Sequence, residues 1–245
     1  VRRSGSLSEA VMNKTVIIGE RYKNAFSAAL SAYFGDIIYL PDNPHVAPAL
    51  AGHLDLSVFK TADNKLICAS YLKGTCFENE LHNREVDLIF DTAVQKPDYP
   101  MDCALNAMHT GKHLICNSEI CSERIKAACK GSTVISVRQG YVRCSVLHVA
   151  GNNYITADNG IASALTKAGC DVLMISTVGI ELPGYEYGFI GGASFVCDNR
   201  VFFMGSLSTH PDCAKIQSFI EHCGMQTVSL GNGKLLDTGG AVVVY

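Results

Sequence analysis

A short arm recurs along this chain at nearly constant spacing. Asp55-Leu56-Ser57-Val58-Phe59 has counterparts beginning at Cys103, Cys144, Gly192 and Gly240, at intervals of 48, 41, 48 and 48 residues. A repeat of this period marks a supersecondary unit that cannot bury its apolar face alone, so the units must pack on one another. Each unit reads the same way. An apolar run is followed by a polar turn and a second apolar run. The turns are Thr61–Asn64, His109–Lys112, Ala150–Asn153 and Cys197–Arg200. Asn, Asp and Gly between β-prone runs signal a hairpin. A helical pattern comes next. In Asn159–Lys167 and beyond, Ile161, Ala162, Leu165 and Ala168 fall at helical spacing behind Asp158, and in the last unit His210, Pro211 and Asp212 mark a helix start. Each unit ends on an apolar strand, at Val86–Phe90, Thr133–Val137, Asp171–Ile175 and Thr227–Leu230.

The fifth unit is split between the two ends of the chain. Gly240–Tyr245 supplies its first strand. Asn13–Ile18 matches Asn64–Ala69 at an offset of 51, and at the same offset Asp36 matches Asp87. Asp36–Leu40 is then the closing strand, after a helix containing Ala25, Phe26, Ala29, Leu30 and Tyr33. The expected fold class is α/β. It is a pseudo-fivefold α/β propeller of five ββαβ units, closed by pairing of the N- and C-terminal strands. Residues 13–245 are expected to form one domain, with residues 1–12 as a tail outside it.

Composition narrows the partners. A net charge of −3 without a basic cluster argues against nucleic acid. No run of about 18 apolar residues exists to cross a membrane. There are 11 cysteines, an odd number with no Cys-x-x-Cys pair and no secretory leader before them, and this predicts a reduced, cytoplasmic protein with buried thiols. The sequence leaves the oligomeric state open.

If the units are related by rotation, the segments that open the arms converge. These are Gly52–Asp55, Pro100–Cys103, Val142–Cys144, Ile190–Gly192 and Asp237–Gly240. They bring together a thiol, an imidazole and carboxylates, which are the parts of covalent catalysis. The candidate catalytic residues are Cys144, His53 and Asp55. Asp237, Asp102, Cys103, Gly191, Gly192, Gly239 and Gly240 are candidates for substrate binding, the glycines because they leave room for a ligand or for close backbone. Cys144 and Cys103 hold equivalent positions, so either can be the reactive thiol. His53 and Asp55 are two residues apart, which on a strand places both on one face. Asp158 and His210 read as helix-start residues. Tyr185 and Tyr187 lie in a Gly/Pro loop that could wall the site. Thiolate attack needs no metal and no cofactor; a zinc site built from the same cysteines, histidine and aspartates ranks last, since no ligand spacing supports it.

These arms carry a family resemblance. The fivefold ββαβ arrangement resembles the pentein fold, shared by arginine deiminases, dimethylarginine hydrolases, amidinotransferases and non-catalytic ribosome anti-association factors. His53–Phe59 resembles the His-Leu-Asp arm that carries the catalytic histidine of arginine deiminases. Arg143–Leu147 is similar to the arm holding their nucleophilic cysteine, and Leu236–Val242 to the acid-Gly-Gly arm. The cyclic order agrees, with the chain opened at a different point. The resemblance implies an enzyme acting on a guanidine- or amidine-type C–N bond of a small molecule, with Cys144 as nucleophile, His53 as acid/base, and Asp55 and Asp237 holding substrate and imidazole. The arm Gly188–Gly192 lacks the acid that such enzymes hold there. The alternative is therefore a non-catalytic pentein-fold protein that binds a ligand or partner.

Overall fold

Each predicted hairpin turn closes through a residue in the left-handed region: Asn64 (φ 68°), Gly111 (82°), Gly151 (56°) and Asp198 (52°). Asn, Asp and Gly are the residues that tolerate this conformation. The computed structural model describes residues 14–245; the expected tail, residues 1–12, and Asn13 of the N-terminal match lie outside them.

The turns join strands into five three-stranded sheets of one pattern. The first strand pairs antiparallel with the second, and the second pairs parallel with the third across a helix. The sheets are Val58–Lys60/Leu66–Cys68/Leu88–Phe90, Met108–His109/His113–Cys116/Thr133–Ser136, Val146–Ala150/Asn153–Thr156/Asp171–Met174, and Ser194–Cys197/Arg200–Phe203/Gln226–Ser229. The fifth sheet joins the two ends of the described chain. Val242–Val244 runs antiparallel to Thr15–Gly19, with Thr15 opposite Val244 and Ile17 opposite Val242, and Thr15–Gly19 runs parallel to Asp36–Leu40. The pairing expected from the 51-residue offset is therefore present in register. A further parallel pair, Ile180–Glu181 with Leu235–Leu236, links two of the connecting loops.

The helices bury the faces that their periodicity foretells. Lys23–Leu30 buries Phe26 and Leu30, and Asn159–Lys167 buries Ile161, Ala162 and Leu165. Asp158 caps the latter, its carboxylate accepting from the Ile161 amide at 2.8 Å. Two local expectations change. Ala168 lies past the end of its helix and is exposed, because the chain turns there through Gly169 at φ 78°. Tyr33 lies past the end of the Lys23–Leu30 helix, and Ala25 within it is exposed. His210, Pro211 and Asp212 do mark a helix start, Asp212 standing next before Cys213–His222.

The arms themselves also differ from the extended strands that the alternation suggests. Leu54–Leu56 is a 3-10 turn and Val142–Ser145 a single helical turn, and the strands begin only at Val58 and Val146. His53 and Asp55 are thus not two residues of one strand face. Apolar packing runs continuously between neighbouring sheets: Ile17, Leu54, Val58 and Val242 share one cluster, and Leu147, Ile155, Val201 and Phe203 another. Among the described residues no helix is long and apolar enough to cross a membrane. All eleven cysteines are unpaired; most are buried and Cys76 is exposed.

Candidate functional site

The helical turns at the start of the arms aim side chains toward one another. Cys144 ends up with its Sγ donating to Asp55 Oδ2 at 2.6 Å. Asn106, from the arm that begins at Cys103, ties the two together. Its Oδ1 accepts the Arg143 amide at 2.6 Å and the Cys144 amide at 3.4 Å, which caps the first turn of Val142–Ser145, and its Nδ2 reaches Cys144 Sγ at 3.5 Å and the Asp55 carbonyl at 3.4 Å. His53 sits beside this group. Its Nδ1 is 3.7 Å from Asp237 Oδ1, its Nε2 has no partner among the described residues, and ligating atoms of His53, Asp55 and Cys144 all lie within 4.8 Å of one another. Asp237 is fixed in turn by the amides of Phe189 (2.9 Å) and Gly239 (3.1 Å).

Burial sets the electrostatics. His53, Asp55, Cys144 and Asp237 are each 3% exposed or less. Burial raises Asp55 to about 6, against the pull of His53. It raises Asp237 as well, again opposed by His53. The Cys144 thiol is pushed well above its ordinary value, first by burial and then by the charges of Asp55 and Asp237. The thiol proton faces the Asp55 carboxylate and not a basic group, so burial and the neighbouring charges favour the neutral thiol over the thiolate.

A cavity of about 280 Å³ opens onto this group. His53, Cys144 and Asp237 line it with Gln139, Leu50, Leu56, Tyr141, Leu182, Phe189, Tyr185, Glu186 and Tyr187. Asp55 lies behind Cys144 and faces a second cavity of about 250 Å³, together with Lys60, Arg143 and His148. Arg143 turns away from Cys144 and donates to the Gly191 carbonyl at 3.0 Å.

The remaining sequence candidates fall outside the first cavity. Cys103 points its Sγ at the Pro100 carbonyl (3.2 Å), and burial raises its thiol strongly. Asp102 accepts from the Tyr141 hydroxyl at 2.6 Å and positions a wall residue at one remove. The four glycines are not among the residues lining the first cavity, and each stands in close contact with a neighbouring arm. A Cβ on Gly192 would fall 1.9 Å from Asp237 Oδ1, and one on Gly191 2.2 Å from the Arg143 carbonyl. Gly239, at φ 73°, leaves 2.7 Å between such a Cβ and the His53 Cα. These contacts let three arms abut, with the Gly192 amide donating to the Cys144 carbonyl at 2.9 Å. Tyr185 and Tyr187 do line the cavity, as the loop suggested.

Sequence reasoning missed Asn106, although a polar amide in the middle of an apolar arm was a visible signal. It also missed Leu50, Tyr141 and Leu182, which lie in connecting segments and carry no repeat pattern. His53, Asp55 and Cys144 are the one group with metal-ligating potential among the described residues. Two ligands on one tetrahedral zinc stand roughly 3.5 Å apart, given metal–ligand lengths near 2.0–2.3 Å. The 2.6 Å Sγ–Oδ2 contact is a hydrogen bond and does not match that spacing.

Comparison with known proteins fits this picture. The model of a family described as "Family of unknown function (DUF6873)" matches residues 17–242. No curated protein sequence matches the chain. Among solved structures, a DDAH from Pseudomonas aeruginosa, a mutant complexed with citrulline, superposes with a TM-score of 0.54 at 12% identity, over 90% of this chain and 92% of its own. An agmatine deiminase of C. jejuni gives 0.51 at 11%, over 96% of each chain. An amidinotransferase from Microseira wollei, of the saxitoxin biosynthetic pathway, gives 0.51 at 12%, over 89% and 88%. All three have the pentein fold, a mixed α/β fold of many small sheets, and so does this chain.

Proposed function

The chain belongs to DUF6873, and from its site we propose that it is a thiol-dependent hydrolase or transferase acting on the C–N bond of a small guanidine- or amidine-type cation. Its five units stand about one pseudo-fivefold axis as a single domain. Supporting this, the second cavity draws its wall from the first strand of every unit: Val58–Lys60, Met108–His109, Leu147–His148, Phe195–Val196 and Val242–Val243. The observation that carries the functional reading is the meeting of Cys144, His53 and Asp237 on one wall of the 280 Å³ cavity, with Asp55 bonded to the thiol behind them. Sequence separates these groups by up to 184 residues, from His53 to Asp237.

The chemistry follows from the charges. Two buried carboxylates with raised pKa values favour a cation in the cavity. A guanidinium or amidinium beside Cys144 offsets the two charges that keep the thiol protonated. With Nδ1–H turned to Asp237, His53 offers the Nε2 lone pair. The thiol proton moves to Nε2 as Sγ bonds to the planar carbon. The imidazolium gives that proton to the departing nitrogen as the C–N bond breaks. Water, or an acceptor amine in the transferase case, then loses a proton to His53 and bonds to the same carbon. The C–S bond breaks and the thiolate recovers the proton.

The test is a panel of guanidines and amidines, assayed for amine or ammonia release and for a covalent adduct by intact mass. Turnover that vanishes in Cys144→Ser, with an adduct on Cys144 in the wild type, is the expected result. Turnover that survives Cys144→Ser, or an adduct on Cys103, refutes the assignment.

A further inference from the structure

Resting on that reading, we infer the substrate class: an amidine or guanidine cation carried on an apolar, planar body without a carboxylate. The wall of the cavity is the argument. Leu50, Leu56, Leu182 and Phe189 make it apolar, and Tyr141, Tyr185 and Tyr187 add aromatic faces. Tyr185 and Tyr187 are 49% and 41% exposed, high for aromatic rings, and Tyr187 packs edge-on to Phe189 at 5.9 Å. Exposed rings at a cavity mouth suit a planar, apolar or cationic guest.

The charged groups exclude an anionic tail. Among the described residues no Lys or Arg lines this cavity, whereas Asp237 and Glu186 do. Of the basic side chains on adjoining segments, Arg138, next to Gln139, lines a separate cavity with Tyr99 and Asn117, and three others are engaged elsewhere. Arg143 donates to the Gly191 carbonyl, Arg21 is held by Asp42 and the Pro48 carbonyl, and Lys234 pairs with Glu181. A substrate carboxylate would therefore lose its water, find no cation, and face two like charges.

The probe pair is benzamidine and 4-amidinobenzoate, which share head group and ring and differ by one carboxylate. Calorimetric titration of the full chain is expected to show benzamidine binding at least ~30-fold more tightly, a floor set by like-charge repulsion and an unpaired charge together. Tyr187→Arg, at an exposed position, is expected to narrow that ratio by supplying the missing cation. Equal affinities, or tighter binding of 4-amidinobenzoate, overturn the substrate class and leave the proposed chemistry standing. If neither probe binds, 2-chloroacetamidine separates the remaining cases by mass mapping. Alkylation of Cys144, with loss of chloride, keeps the thiol chemistry and overturns the apolar body. No alkylation of Cys144 overturns both.

Discussion

Asp55→Asn tests the electrostatics of the site without depending on any substrate. Burial lifts the Asp55 carboxyl from 3.8 to about 6. The unfolded chain ionises it near the ordinary value, so the folded state resists ionisation between those limits. The sign follows from linkage: with the folded pKa raised, this group's contribution is intact below about pH 4 and is lost as pH rises through about 6. At ~1.4 kcal/mol per pH unit, the loss is roughly 3 kcal/mol at neutral pH. An Asn keeps an oxygen to accept the Cys144 thiol and removes the ionisation. The Asn variant is thus expected to gain on the wild type by about 3 kcal/mol between pH 4 and pH 7.5, measured by urea unfolding at several pH values. Asp237 titrates in both proteins and largely cancels from the difference. A gap that stays constant with pH would show that Asp55 is ionised normally in the fold, and would remove the physical basis for a cation-seeking site.

Two further outcomes are expected. Deleting Gly240–Tyr245 removes the strand that pairs with Thr15–Gly19, including Val242, Val243 and Val244, all 8% exposed or less; three buried valines at ~1.5 kcal/mol or more each predict a loss of at least about 4 kcal/mol in urea unfolding, and an unchanged midpoint would contradict terminal closure. In the free protein at pH 7.5, iodoacetamide is expected to label the exposed Cys76 well before Cys144, whose thiol is buried and pushed up; mass mapping that finds Cys144 first would restore a resting thiolate.

The architecture was largely legible because it is repetitive. Period-2 and period-3.6 patterns, turn residues with positive φ, and a 51-residue offset between the chain ends are local signals that survive in one dimension, and they located five sheets and the terminal pairing. The same signals placed Asp55 and Cys144 at corresponding points of their units, with His53 and Asp237 in the segments that open their arms, which was enough to nominate them. What one dimension could not carry was direction. Whether Asp55 shares a strand face with His53 or swings on a 3-10 turn to meet Cys144 depends on packing between arms, and Gly191, Gly192 and Gly239 each stand where that packing leaves no room for a side chain. Cys103 and Cys144 hold equivalent places in the repeat, and only the tertiary structure put one on a cavity wall and the other against the Pro100 carbonyl. The protonation of the thiol was decided there too. A pKa reports desolvation and the sum of nearby charges, and in this protein those charges come from residues nearly two hundred positions apart, brought together by the fold.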